Sequence, residues 1–368
     1  MNGEGNVNFR SSNVEVLRII SMIMIVVSHY TVHNQVINST LPLGFNRFLL
    51  EITNLGNIGV IVFVLITGYF SVDKKTPFKL KKLVLLCLQV LFYSIIIYFV
   101  FIGLRIESFS IKAFIKNLFP ITFNKYWFIT TYIVLYIFTP YINIFINSMN
   151  RKQYINFLVI GLFIFSILKM LTTQDYYGNE LVQFLFFYAI GGYLKKYKDN
   201  WFSNSKNNRI VLMLTTLTLI FSVIIFDLIG TKISMFSAHS SYLFSRNSIV
   251  SILFSVSLLS VFISKKDYNN TFINGVASCV LGVYLVSDNN FVREVLWTKL
   301  LHVSNYVDSN FLVLHMICSV LLVFIACTII EYVRKNTIGR VVSIIYDKID
   351  NYIRKSKLYR ILSFNKIL

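Results

Sequence analysis

The sequence predicts an all-α membrane protein, a polytopic bundle of about ten transmembrane helices. Of its 368 residues, 56% are hydrophobic and only 14% are charged. Apolar runs close to the ~20 residues that a membrane-spanning helix needs recur along the whole chain. A soluble domain of this length cannot bury so much apolar surface, so the membrane explains the composition better.

The predicted spans are separated by short polar or basic loops. The first has no small-residue cleavage site after it and is expected to be a retained helix, not a signal peptide. The second and sixth are the weakest, and no internal repeat of the kind found in many transporters is visible. The ten spans are 14–32, 54–72, 83–104, 127–147, 155–172, 181–194, 210–228, 247–264, 273–290 and 310–333.

The distribution of Lys and Arg predicts that both termini lie in the cytoplasm. With the N-terminus inside, twenty-four basic residues fall on the inner side and nine on the outer side. This is the bias expected of cytoplasmic loops. The basic outer loop 105–126 is the exception. The formal charge of +19 therefore reflects topology and gives no support to nucleic-acid binding.

The chain divides into an integral membrane domain, residues 1–333, and a basic tail, residues 334–368. The tail has apolar residues at helical spacing and nine basic residues against Asp347 and Asp350. This pattern predicts an amphipathic cytoplasmic helix on the anionic inner leaflet. The tail needs no catalytic role to explain its composition.

The first span carries two ionisable residues, Arg18 and His29, inside its apolar run. On an α-helix they lie about 16 Å apart along the axis and on nearly the same face. A charged residue inside a membrane is expensive and is rarely kept without a partner or a function. Glu15, three residues before Arg18, can pair with it.

Asp288 and His315 are placed at the same depth as His29, towards the outer side. A histidine held by a carboxylate can take a proton from a hydroxyl, which is general-base chemistry. A satisfied buried histidine and a helix-end carboxylate are the plainer interpretations of His315 and Asp288. The four cysteines have no metal-like spacing, so no metal site is predicted.

Lys79 and Lys82 lie in a basic cluster that leads into the third span. They are either topology anchors or a docking site for the phosphates of an anionic cosubstrate. Tyr126 and Trp127 fit an aromatic belt at the outer edge of the fourth span, and are otherwise candidates for substrate binding.

These residues together resemble the acyltransferase-3 family of membrane O-acyltransferases, many of which acetylate bacterial surface polysaccharides. The family signature is an arginine and a histidine eleven positions apart in the first span, here Arg18 and His29. Supporting segments are Ile66-Thr-Gly-Tyr-Phe70, Tyr126-Trp-Phe-Ile-Thr-Thr-Tyr132 with Thr139-Pro140, Tyr188-Ala-Ile-Gly-Gly-Tyr-Leu194, and Leu281-Gly-Val-Tyr-Leu285 with Asp288 and Arg293.

Two positions depart from the family pattern. Many relatives have Arg-x-x-Arg in the first inner loop, where this chain has Lys79 and Lys82. Relatives of the polysaccharide type often have a histidine before the aspartate near the ninth span, where this chain has Ser287. The proton-transfer work is therefore expected to fall on His29 with help from Asp288.

The resemblance implies a bacterial cytoplasmic-membrane O-acetyltransferase. It would move an acyl group, expected to be acetyl, from cytoplasmic acetyl-CoA to a sugar hydroxyl of a surface polysaccharide or its lipid-linked precursor. His29 could act as a base or carry the acyl group itself. A transporter or flippase of glycan precursors is the alternative. The expected site is His29, Arg18 and Asp288 for catalysis, Lys79 and Lys82 for the donor, and Glu15, Tyr126, Trp127, Arg293 and His315 for substrate.

Overall fold

The computed structural model describes residues 11–33, 42–73, 79–172 and 179–355, with side chains to Tyr352. All regular secondary structure in these ranges is helical. The first nine α-helices are α1 Ser12–Val32, α2 Phe45–Ile52, α3 Gly56–Ser71, α4 Leu80–Gly103, α5 Ile111–Leu118, α6 Trp127–Ser148, α7 Arg151–Leu162, α8 Lys169–Thr172 and α9 Glu180–Lys196.

The second half of the chain is also helical. Its helices are α10 Ser205–Gly230, α11 Ser234–Ser237, α12 Ile249–Ile263, α13 Thr271–Ala277, α14 Val280–Ser287, α15 Asn290–Glu294, α16 Leu312–Arg334 and α17 Arg340–Lys355. Three π-helical segments continue α7, α15 and α16, namely Phe163–Leu168, Val295–Leu300 and Lys335–Gly339.

The prediction of an all-α polytopic membrane bundle is confirmed. Eight described helical segments are long and apolar enough to cross a membrane, and nine if one bent pair counts as a span. Each of the ten predicted spans coincides with a helix, but the sixth is α9, which has only 17 residues. The ninth span, predicted as continuous to residue 290, is broken between α14 and α15, whose axes differ by 73°.

The centre of the bundle is built by α1, α3 and α9, which pack closely through small residues. A Cβ atom at Gly68 of α3 would lie 2.1 Å from the carbonyl oxygen of Tyr188, and one at Gly191 of α9 would lie 2.2 Å from that of Leu65. Glycines at this crossing let the two backbones touch, as small residues do in membrane helix pairs. Two segments that carry the family resemblance therefore pack against each other.

The same kind of contact fixes α1 against α3. A Cβ atom at Gly59 would lie 2.5 Å from the carbonyl oxygen of Ser21. At its start, α1 is held by the loop before α13, because the amide of Asn13 donates to the carbonyls of Lys265 and Lys266. The register of α1, and with it the positions of Arg18 and His29, is thus set by hydrogen bonds at its start and by close packing near its middle.

The tail is a helical continuation of α16. Apolar side chains on α17 are exposed, and they are Val341, Ile344, Ile345, Ile349 and Tyr352. The tail is also tied to the bundle, since Lys81 at the start of α4 pairs with Asp347 at 2.7 Å. The part of the predicted tail after Lys355 lies outside the described residues.

Candidate functional site

His29 of α1 and His33, the residue that follows this helix, converge on one carboxylate. The Nε2 atom of His33 lies 3.1 Å from Oδ1 of Asp288, which is hydrogen-bonding distance. The Nε2 atom of His29 lies 3.7 Å from the same oxygen. Because the two histidines are four residues apart, one helical turn places both rings on the side of α1 that faces Asp288.

Asp288 reaches this position because the helix breaks there. The backbone of Asn289 is extended, and its side-chain oxygen accepts a hydrogen bond from the backbone N–H of Phe291, which caps α15. Short polar side chains compete with helical hydrogen bonds in this way and favour caps over helix interiors. The sequence Ser-Asp-Asn-Asn therefore ends one helix, starts the next and turns the Asp288 carboxylate inward, where it is buried.

Arg293 adds a positive charge to the cluster. Its Nη1 atom lies 3.8 Å from Oδ1 of Asp288, and its side chain is partly exposed. The Asp288 carboxylate is therefore surrounded by two imidazoles and one guanidinium. This environment favours the ionised carboxylate, which can orient an imidazole and stabilise its protonated form.

Tyr126 does not belong to an aromatic belt, and that interpretation is wrong for this residue. Its side chain is only 1% exposed, and its hydroxyl accepts a hydrogen bond of 2.7 Å from the amide of Asn289. Tyr126 thus holds the α14–α15 break from the α6 side. Trp127 is half-buried and lies under the guanidinium of Arg246, 4.4 Å from the ring centroid.

His315 lies next to this cluster without joining it. Its Nδ1 atom shares a hydrogen bond of 2.9 Å with the hydroxyl of Tyr30, and its ring stacks on Tyr306 with centroids 3.7 Å apart. These contacts match the plainer interpretation of a satisfied histidine. Tyr30 connects it to α1, one residue beyond His29.

A small pocket opens beside Asp288. Its volume is about 360 Å³. Besides Asp288, it is lined by Lys116, Phe123, Asn124, Lys125, Trp127, Asn290 and Arg293. We call it the outer pocket, after the side predicted for loop 105–126. It places a polar, partly aromatic lining next to the His29–Asp288 cluster.

A larger cavity lies at the other end of α1. Its volume is about 1040 Å³, and most of its lining is apolar. Seven basic residues line it as well: Arg18, Lys79, Lys81, Lys82, Arg334, Lys335 and Arg340. We call it the basic cavity. It combines an apolar interior with a strongly positive charge.

The predicted donor residues are brought together in the basic cavity. Arg18 lies on its wall and pairs with the buried carboxylate of Glu15. Lys79 and Lys82 lie at the start of α4, and the Lys82 ammonium is 5.1 Å from the ring centroid of Tyr136. Glu15 is thus a partner of Arg18, and it does not line either pocket.

The cavity also has an arginine that the sequence analysis missed. Arg334 donates two hydrogen bonds of 2.7 Å to Glu331, whose carboxylate also accepts from Tyr93 and Gln89 of α4. Glu331 is only 1% exposed, so a fully partnered buried carboxylate holds the guanidinium in place. No spacing in the sequence joins the end of α16 to the start of α4, and only the fold shows it.

His33 was missed because it lies just after the first predicted span. Its four-residue spacing from His29 is the pattern that could have identified it. His29, His33 and Asp288 have ligand atoms within 4.8 Å of one another, so these three residues could hold a metal ion. The sequence predicted no metal site, and sensitivity of the activity to a chelator would separate the two possibilities.

The fold and the site define a polytopic membrane protein with a histidine–carboxylate cluster at one end of its first helix and a basic cavity at the other. The family model of the acyltransferase-3 family, described as an acyltransferase domain, matches residues 11–332. The chain belongs to this family and is a membrane acyltransferase. No curated protein and no solved structure gives a match.

Proposed function

We propose that this chain transfers an acetyl group from cytoplasmic acetyl-CoA to a hydroxyl of a bacterial surface polysaccharide or its lipid-linked precursor. The observation that carries the proposal is the arrangement along α1. The basic cavity lies around Arg18 at one end, and the His29–Asp288 cluster with the outer pocket lies at the other. The two reactants can thus approach from opposite ends of one helix.

The basic cavity suits coenzyme A because this molecule combines phosphate groups with a long, flexible arm. Phosphates are bound well by guanidinium and ammonium groups. Arg334 supplies an oriented guanidinium where the Lys79–Lys82 pair supplies only ammonium groups. The arm would extend past Met22, which lines the cavity and precedes His29 by about 10 Å along the helix axis.

The chemistry requires a base at the hydroxyl, and His29 is suited to this role. His29 takes the hydroxyl proton while the oxygen attacks the thioester carbonyl carbon. The carbon–sulfur bond then breaks, and the departing thiolate receives the proton from His29. Asp288 holds the imidazole and stabilises its protonated form, as the aspartate does in a Ser-His-Asp triad.

The distance between His29 and Asp288 fits this role after a small movement. At 3.7 Å it is roughly half an ångström beyond a hydrogen bond. Catalytic hydrogen bonds often tighten only when substrate is bound. The Nδ1 atom of His29 is buried and has no hydrogen-bond partner in the described part of the chain.

Three experiments test the proposal. In membranes, label from radioactive acetyl-CoA should appear in surface glycan or its lipid-linked precursor, and NMR should show loss of an O-acetyl signal in a deletion strain. Absence of transfer by wild-type membranes would overturn it. EDTA should leave the rate unchanged, whereas loss that is restored by Zn²⁺ would assign His29, His33 and Asp288 to a metal ion.

The proposal places both termini in the cytoplasm, and this can be tested with single cysteines. Lys206 and Lys232 are exposed on segments predicted to face opposite sides, whereas Ser240 in the second segment is only 3% exposed and unsuitable. Cys318 is exposed and is replaced by Ser first. An impermeant thiol reagent should label Lys232→Cys but not Lys206→Cys in intact cells. The opposite result would reverse the topology.

A further inference from the structure

The outer pocket has a charge that the transfer of an acetyl group to a neutral sugar does not require. Lys116, Lys125 and Arg293 all line it, against the single carboxylate of Asp288. Arg293 lies near that carboxylate, but the two lysines are contributed by a different part of the chain, α5 and the loop after it. Three cations and one carboxylate line a pocket with a volume of about 360 Å³, so its net charge is positive.

These lysines lie in a loop where few basic residues are expected. Outer loops of membrane proteins are poor in Lys and Arg because such residues oppose translocation. Loop 105–126 nevertheless holds four of the nine outer basic residues. Two of the four, Lys116 and Lys125, line the outer pocket. Topology gives no reason for them, so a ligand is the better explanation.

The side chain of Lys125 is held in place by its neighbours. Its ammonium donates to the side-chain oxygen of the buried Asn117 and lies 5.2 Å from the ring centroid of Phe291. Burial, with the charge of Lys116 as the smaller cause, lowers the pKa of Lys125 to about 8. Burying this ammonium beside another cation is unfavourable unless an anion binds there.

We propose that the acceptor carries an anionic group, a carboxylate or a phosphate ester, which binds at Lys116 and Lys125 in the outer pocket. This inference rests on the proposed function. Amide side chains of Asn124 and Asn290 and the rings of Phe123 and Trp127 supply the remaining polar and apolar lining that a sugar needs. Asp288 and Arg293 then lie beside the hydroxyl to be acylated. The acceptor is therefore an acidic glycan.

The test measures inhibition of acetyl transfer to the native acceptor in membranes by three small probes. They are a methyl glucoside, the matching glucuronide and the matching glucoside 6-phosphate. The glucuronide or the phosphate should inhibit with a Ki at least roughly tenfold below that of the neutral glucoside, the size of one charge-assisted contact. Which of the two inhibits identifies the source of the charge.

The variants Lys116→Gln and Lys125→Gln should each raise the Ki of the acidic probe roughly tenfold and leave that of the glucoside unchanged. Lys112→Gln is the matched control, because Lys112 lies on α5 but does not line the pocket. The advantage of the acidic probe should also fall as the pH rises through about 8, where Lys125 loses its proton.

Equal inhibition by the acidic and neutral probes, including no inhibition by any of them, would overturn the inference while transfer itself is still observed. An effect of Lys116→Gln and Lys125→Gln that appears only in vesicles containing anionic lipid, and not in zwitterionic ones, would also overturn it. That result would assign the lysines to lipid headgroups. Absence of any transfer would instead be the failure of the proposed function.

Discussion

The basic cavity and the outer pocket lie at opposite ends of α1 and differ in size, lining and chemistry. The first is nearly three times as large, mainly apolar and ringed by seven basic residues. The second is small and polar and adjoins the histidine–carboxylate cluster. One region is suited to holding a large anionic molecule, and the other to reacting with a small polar group. The proposed function therefore separates donor binding and acyl transfer along one helix.

The substitution His29→Ala should give the largest effect, since it removes the base that we propose for the transfer reaction. We expect acetyl transfer to fall by about 10²- to 10⁴-fold, the usual contribution of a general base, with normal insertion and protein level. A covalent route through the imidazole would depend on His29 completely. The measurement is transfer from radiolabelled acetyl-CoA in membranes.

His239→Ala is the matched control, because His239 is exposed on the connection after α11 and its ring shares a hydrogen bond with the carbonyl of Met235. It should transfer at the wild-type rate. Near wild-type transfer by His29→Ala would remove the catalytic assignment and favour a transporter of glycan precursors.

The substitutions Asp288→Asn and Ser287→Ala together test which side chain at the break between α14 and α15 assists His29 in acyl transfer. Asp288→Asn should lower the rate by on the order of 10²-fold, because a neutral amide stabilises a protonated imidazole poorly. Ser287→Ala should keep most activity, since the buried Ser287 hydroxyl has no hydrogen-bond partner among the described residues. The measurement is the rate of acetyl transfer by each variant, normalised to protein level. A dead Ser287→Ala beside an active Asp288→Asn would contradict the assignment.

The substitution Arg18→Lys tests the binding end of α1. A lysine keeps the charge but loses the planar pair of donors, so we expect transfer to fall roughly ten- to a hundredfold. The loss should appear in kcat/KM for acetyl-CoA. Arg151→Lys is the control, because the exposed Arg151 pairs with Asp199 away from the cavity. Equal rates for both variants would show that only charge matters at Arg18.

The smallest effect is expected for the double substitution Lys79→Gln and Lys82→Gln. Arg334 and the other basic residues of the cavity remain, so the KM for acetyl-CoA should rise only roughly tenfold at low salt, and less at high salt. Use of the acceptor should be unchanged. Lys265→Gln with Lys266→Gln, an exposed pair outside the cavity, is the control. An unchanged donor KM would reduce Lys79 and Lys82 to topology anchors.

Residues separated by a few positions on one helix could be paired from the sequence. The pairing of Arg18 with Glu15 and the shared face of Arg18 and His29 follow from the helical repeat of 3.6 residues. The ten apolar segments follow equally from the length that a bilayer imposes. These features are local, so the chain alone contained enough information to predict them.

The contacts that join distant segments were decided only by the tertiary structure. His33 meets Asp288 and Tyr126 meets Asn289 because packed helices bring the ends of α1, α6 and α14 together. Arg334 reaches the basic cavity at the opposite end of α1, where the end of α16 lies beside the start of α4. Hydrophobicity and charge bias give each helix its depth and direction, but neither gives its neighbours. Neighbours depend on how side chains and glycines fit at each crossing, which is a property of two surfaces together and cannot be read from either segment alone.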